Sequence, residues 1–260
     1  MNEQFVFAPP LKQGTIIKRL TQFTMLVDID GVETRCHCPS STRIGDFDNA
    51  GLPCLYSVSD DPNRKLPITV EAVSVDDHDP HKWIGINMVK SNRMVEHFLR
   101  THQLDAMISD YTEGDIRREV PLGLSKLDFL VGNTYLEVKT MVMSLDVEYG
   151  PHIKVQKQAP LHDIDRMLKH SMSLADSLKD HERAIMLTVH QYVPDNIVRP
   201  HPNTRQTEHV IEVFRYVLER GMEWWTLNLN FQPDGVSVHS LIDTTQQNLE
   251  EMKGERIHGQ

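Results

Sequence analysis

The sequence predicts a two-domain chain of mixed α/β (α+β) class, a small antiparallel β-barrel followed by an α/β domain with a mixed sheet. Three observations carry this. Residues 14 to about 75 read as short strands separated by turn residues, the apolar pattern changes to helical spacing from Asn92, and the rest runs helix, hairpin, helix, strand, helix, strand. At 260 residues the chain has room for a substantial core, and the change of period divides it at 1–82 and 83–260.

In the first domain an Asp30-Gly31 turn separates MLVDI from VETRCHC, with further breaks at Pro39, Gly51-Leu52-Pro53 and Asp60-Asp61-Pro62. Segment Asp76 to His81, DDHDPH, reads as a loop or hinge. Its His78, Asp79 and His81 are metal-capable, but a solvated polar loop is the simpler reading. Met94, Val95, Phe98 and Leu99 then recur on one helical face, with Ser91 or Asn92 as the cap. After the hairpin, Leu161 to Leu178 forms a helix with a buried stripe, and Ala184 to Val193 forms a central strand. Thr204 or Thr207 caps a helix burying Val210, Ile211, Phe214, Val217 and Leu218, and Gly221 sits where a helix-ending glycine belongs. Trp225, Leu227 and Leu229 alternate in a strand, Pro233-Asp234-Gly235 makes a turn, and VSVHSL is the last strand. The tail after Asp243 is polar and reads as frayed or loosely helical.

Hydrophobic content of 39% and charged content of 25% suit a globular protein. No run approaches eighteen apolar residues, so no membrane span is expected. The opening MNEQFVFAPP has neither a basic stretch nor a continuous apolar run, so cytoplasm is expected rather than secretion. Three cysteines make no disulfide framework and fit a reducing compartment. Cys36-His37-Cys38 with Cys54 is a weak zinc signal against the commoner reading of buried thiols. A net charge of −10 counts against a generally adhesive nucleic-acid binder, though not against a local basic groove. It keeps a protein-interaction module open as a class.

The chemistry concentrates in Lys126 to Thr140, KLDFLVGNTYLEVKT. Gly132-Asn133 between two alternating runs signals a two-residue hairpin turn. That turn pairs Val131 with Thr134, Leu130 with Tyr135, Phe129 with Leu136 and Asp128 with Glu137. Alternation then puts Asp128, Glu137 and Lys139 on one face, with Leu127, Phe129, Leu136 and Val138 on the other. Facing carboxylates roughly 4.5–5.5 Å apart at Cβ repel unless a cation lies between them. Mg²⁺ suits one or two carboxylates with waters and phosphate oxygens, leaving Lys139 to orient a water or offset charge. The alternative is a solvated face on which Lys126 and Lys139 pair diagonally with Glu137 and Asp128. Register decides between them.

Over nearly its whole length the chain resembles the sugar fermentation stimulation protein A (SfsA) family. The matching pieces are FAPPL at Phe7–Leu11, HCP at His37–Pro39, SDDPNRKLP at Ser59–Pro67, SNRM at Ser91–Met94, EVPLGLSKLDF at Glu119–Phe129, YLEVKT at Tyr135–Thr140 and RMLKH at Arg166–His170. The resemblance implies an N-terminal OB-fold barrel and a C-terminal domain of PD-(D/E)xK nuclease type. It implies that Asp128, Glu137 and Lys139 are the metal-binding and catalytic set, with Asp128 and Glu137 as ligands of Mg²⁺ or Mn²⁺ and Glu119 as an outer acid. It further implies phosphate contact by Arg166, Lys169 and His170, with Arg64, Lys65, Asn92 and Arg93 as nucleic-acid contacts. The expected activity is metal-dependent hydrolysis of DNA or RNA, with exposed aromatics such as Phe23 and Tyr56 as stacking candidates. A non-catalytic DNA-binding protein influencing sugar-utilisation genes is the alternative, and a homodimer is left open. Ser40-Ser41-Thr42 stands where the family has Asn-Thr-Gly, and Arg166-Met167 replaces Arg-Gly, so the chain resembles a divergent member.

Overall fold

The computed structural model describes residues 3–76, 82–122, 125–156, 164–179, 182–195 and 205–254. His78, Asp79 and His81, the cap expected at Thr204, and the Leu161 start of the second expected helix lie outside what is described, whereas Thr207, the other cap expected, falls inside a helix described from Arg205 on. Two sheets organise the molecule. Strands β2 (Lys12–Thr21), β3 (Thr24–Ile29), β4 (Val32–His37), β5 (Pro53–Val58) and β6 (Ile68–Val73) run in the order β4-β3-β2-β5-β6. A parallel contact between His37 and Thr69 closes β4 onto β6, so the five strands form the expected OB-like barrel, and β7 (Ile84–Gly85) extends β6. Asp30 and Gly31 turn β3 into β4 with positive φ at both residues, and Asp28 Oδ1 accepts the Gly31 N–H at 2.8 Å.

The barrel core holds Ile16, Met25, Val27, Val70 and Val73, together with Leu145 and Val147 from the chain after the hairpin. Cys36, Cys38 and Cys54 are all buried there. Burial pushes the Cys36 thiol up to about 11 and that of Cys54 to about 12, so both stay protonated and behave as small apolar side chains.

The second sheet has seven strands in the order β1 (Phe5–Val6), β13 (Gly235–Asp243), β12 (Glu223–Phe231), β11 (Arg183–His190), β10 (Thr134–Thr140), β9 (Ser125–Val131) and β8 (Ile116–Leu122). Strands β10, β11 and β12 are parallel and the outer pairs antiparallel, which makes the mixed sheet read from the sequence. Alternation sorts their side chains. Ile185, Leu187 and Val189 face a cluster built on α1 (Met88–Arg100), while Ala184 and Met186 face α2 (Ile164–Ser177) and α3 (Arg205–Glu219). The chain starts in this sheet, with β1 on β13, before entering the barrel. No helix among the described residues is long and apolar enough to cross a membrane.

One local expectation is corrected, at the start of α1, and one is narrowed, in the tail. Helix α1 begins at Met88 and is capped by Asn87, whose side chain accepts the Lys90 N–H, while Ser91 and Asn92 lie inside the helix. Both have tertiary partners there, which a capping rule cannot anticipate. The polar tail forms a helix, α4 (Thr245–Met252), because Leu249 and Met252 are enough to dock it on the α2–α3 cluster. Gly221 ends α3 as expected, at φ 98°.

At the junction of the sheets, a Cβ on Gly85 would lie 2.5 Å from Gln191 Oε1 and 2.8 Å from the Phe231 ring. Gly85→Ala is therefore expected to destabilise the fold by about 1–3 kcal/mol through overpacking, read as a lower urea midpoint at unchanged slope.

His190 supplies a pH test. Burial lowers its pKa below the usual 6.5, against the opposing Asn228 hydrogen bond and the charge of Asp146. The unfolded chain takes a proton first as pH falls, so this contribution is complete above pH 6.5 and lost below it. Denaturation at pH 7.5 and 5.5 is expected to show a smaller pH-dependent loss in His190→Asn than in wild type.

Candidate active site

The hairpin keeps the expected register through three pairs, Val131 with Thr134, Leu130 with Tyr135 and Phe129 with Leu136. The fourth pair does not form. Asp128 Oδ2 instead accepts the Val138 N–H at 2.8 Å, so a carboxylate occupies the place of a strand carbonyl and the strands part. On the other side of β9, the ladder with β8 skips Glu119 and Asp128, where Glu119 takes a left-handed φ of 52°. This local twist interrupts the alternation. Phe129, Leu136 and Val138 pack in the α1 cluster as expected, but Leu127 turns to the α2–α3 cluster.

Asp128 and Glu137 thus meet where two strands separate, held from opposite layers. Asn92 on α1 donates from Nδ2 to Asp128 Oδ1 at 2.7 Å. Lys139 Nζ and His170 Nδ1 on α2 both reach Glu137 Oε1, at 2.5 and 2.6 Å. Glu137 is 2% exposed, and its Oε2 is buried without a hydrogen-bond partner among the described residues. Burial holds the Asp128 carboxyl above its usual range and the neighbouring Glu137 charge adds to this, while the Val138 N–H, Asn92 and Lys139 pull the other way. A buried acid with an open oxygen beside a half-buried one forms a site short of positive charge. Among the described residues no set of three or more His, Cys, Asp or Glu side chains is placed to hold a metal, so an ion here would rest on the two carboxylates with other oxygen donors.

The other expected residues are dispersed. Glu119 is exposed and ion-paired with Lys126 at 2.5 Å, away from the pair; in the alternative surface reading Lys126 was to reach Glu137 diagonally. Lys65, Arg93 and Lys169 are exposed, Arg64 donates to Thr69 Oγ1 at 2.8 Å, and the Arg166 side chain lies outside the described residues. Asn92 and His170, expected on nucleic acid, point at the carboxylates. Phe23 is exposed, whereas Tyr56 is buried.

A further polar set adjoins the site. Thr140 Oγ1 donates to Ser91 Oγ at 2.5 Å, and Gln191 Nε2 donates to Ser91 Oγ at 2.8 Å and to the Asn87 carbonyl at 3.0 Å. It fixes the first turn of α1 to β10 and so places Asn92. Gln191 carried no signal in the sequence, because it reaches Ser91 from 100 residues away.

Comparison with known proteins agrees with this architecture. The SfsA N-terminal OB domain matches residues 17–86, and the sugar fermentation stimulation protein RE domain matches residues 89–235. The sugar fermentation stimulation protein homolog of Synechococcus elongatus is 35% identical over 144 residues, 54% of this chain and 59% of the relative. The match thus spans little more than half of that relative's length. The homolog of Alcanivorax borkumensis is 31% identical over 207 residues, 75% of this chain and 81% of the relative. The structure of Pyrococcus furiosus SfsA in complex with Ca²⁺ superposes with a TM-score of 0.70 at 19% identity, covering 94% of this chain and 98% of the other, and so shares the fold. The chain belongs to the sugar fermentation stimulation protein (SfsA) family.

Proposed function

We propose that the chain is a metal-dependent nuclease that hydrolyses phosphodiester bonds of DNA or RNA, with Asp128 and Glu137 holding Mg²⁺ or Mn²⁺ and the barrel of residues 1–82 guiding the strand to domain 83–260. The observation that carries this is the buried Glu137 Oε2, without a hydrogen-bond partner among the described residues, beside the half-buried Asp128 carboxylate. The Ca²⁺ complex of Pyrococcus furiosus SfsA supports a divalent ion on this fold. When bound, the ion polarises the scissile phosphate and lowers the pKa of a water.

The residues divide the remaining work. His170 fixes Glu137 by Oε1 and leaves Oε2 free to ligate, while Asn92 and the Val138 N–H each take one oxygen of Asp128 and set its plane. Lys139 is two residues from Glu137 and uses one of its three donors on that carboxylate. The others can orient the attacking water and offset charge on the phosphate in the transition state. Lys65, Arg93 and Lys169 are exposed cations available to flanking phosphates.

Calorimetric titration with Mn²⁺ tests the assignment. Wild type is expected to bind one ion and Asp128→Asn to bind at least about tenfold more weakly. Equal affinity in the two proteins, or nucleic-acid binding in EDTA with no hydrolysis under any divalent ion, would replace this reading with a non-catalytic binder.

A further inference from the structure

A cleft of about 480 Å³ lies where the N-terminal strap, the barrel and α1 meet. Its volume falls within the roughly 300–1,000 Å³ usual for small-molecule sites. Two of the short motifs and the start of α1 converge on it from distant parts of the chain: Phe7 to Leu11, the loop from Ser59 to Arg64, and Asn87 with Lys90. None of them belongs to the carboxylate pair.

The floor is polar and tightly built. Glu71 is 1% exposed and accepts from Ser57 Oγ at 2.5 Å, Asn87 Nδ2 at 2.7 Å and Lys90 Nζ at 2.6 Å. Lys90 also lies 5.1 Å over the Phe7 ring. With its carboxylate saturated, the floor repels a ligand anion less than a bare acid would. The walls are apolar, and Val6 and Val58 are 60% and 47% exposed on the same cleft, beside Pro9 and Pro10. Lys12, Arg64 and Lys90 line it against Asp60 and Glu71, so cations outnumber acids by one here although the chain carries a net charge of −10. Flat apolar walls beside guanidinium and ammonium groups suit a planar base with a phosphate.

We propose that this cleft binds one nucleotide by its base and a terminal phosphate, the base against Val58 and the proline wall and the phosphate on Lys12 and Arg64. The position supports a nucleotide over other phosphorylated molecules. The loop bearing Ser59 and Arg64 joins β5 to β6, the last two barrel strands, and loops at this place in OB barrels contact oligonucleotides. Helix α1 also ties the cleft to the carboxylates, because Asn87 lines one and Asn92 holds Asp128, a rise of about 7.5 Å along the helix. The inference deepens the nuclease reading by giving the substrate an anchored end, but the binding itself needs no metal.

The test is equilibrium binding in EDTA of three probes: deoxyadenosine 5′-monophosphate, deoxyadenosine, and a 5′-phosphorylated single strand of about twelve nucleotides, within OB-fold site sizes. The monophosphate is expected to bind at least about tenfold more tightly than the nucleoside. Lys12→Ala and Arg64→Ala together should weaken it about tenfold, the Lys12 change at unchanged melting temperature and the Arg64 change with the added loss of its Thr69 hydrogen bond; Val58→Asp should weaken it independently, and Asp128→Asn should bind as wild type. A strand that competes better than the monophosphate identifies the end of a chain as the ligand, and the reverse identifies a free nucleotide. Nucleoside binding as tight as the monophosphate, or indifference to the Lys12 and Arg64 changes, overturns the proposal. Binding without hydrolysis under any divalent ion removes the nuclease reading alone, whereas hydrolysis in a protein whose cleft binds none of the probes removes this one alone.

Discussion

Lys139→Ala should lower the rate of phosphodiester hydrolysis by about 10²–10³-fold, the loss typical when one preorganised electrostatic group is removed from a reacting centre. The ammonium lies 2.5 Å from Glu137 Oε1 and is partly exposed, so it reaches both the ligand set and the space outside it. Because its role is specific to the transition state, kcat and kcat/KM should fall together. Calorimetry separates this from metal loss, since His170 still fixes Glu137 and Mn²⁺ should remain bound. Retention of more than about a tenth of wild-type turnover would show that Lys139 is only a counter-charge.

The second large effect concerns stability. Glu71→Ala strips three donors of their common acceptor, and one of them, Lys90, is a cation on α1 facing a carboxylate of the barrel. Breaking a buried ion pair by deleting one partner costs about 3–5 kcal/mol, because the surviving charge has no replacement partner. Guanidinium denaturation should show that loss in Glu71→Ala and roughly half of it in Glu71→Gln, which keeps an acceptor oxygen. The pair bridges the barrel and the second domain, so a separate early transition of the barrel in Glu71→Ala would further mark it as the clasp. A change below about 1 kcal/mol would mean that Lys90 and Asn87 find water instead.

Much of the architecture was legible because it follows from local chemistry. Asp30-Gly31 demanded a tight turn, Gly132-Asn133 fixed three rungs of the hairpin, and Gly221 ended a helix, each by the conformational freedom of one or two residues. Helix α4 was less legible because two apolar residues in a polar tail make a weak period, yet they suffice once a docking surface exists. The site was half legible. Alternation correctly brought Glu137 and Lys139 together, but it also put Asp128 in a regular rung and Leu127 beside Phe129. Both failed at one point, where Glu119 adopts a left-handed turn and Asp128 takes a backbone N–H for itself.

What the sequence determined alone was therefore the order of most strands and helices, though not the edge strands β1 and β8, and the identity of the acids on the hairpin, since both depend on residues a few positions apart. Only the tertiary structure decided what surrounds those acids. Asn92 comes from α1, His170 from α2, and Gln191 from the end of β11, and each occupies its place because a buried carboxylate or hydroxyl must find a partner when water leaves. That requirement is met across the layers of the fold, so the partners bear no fixed spacing along the chain.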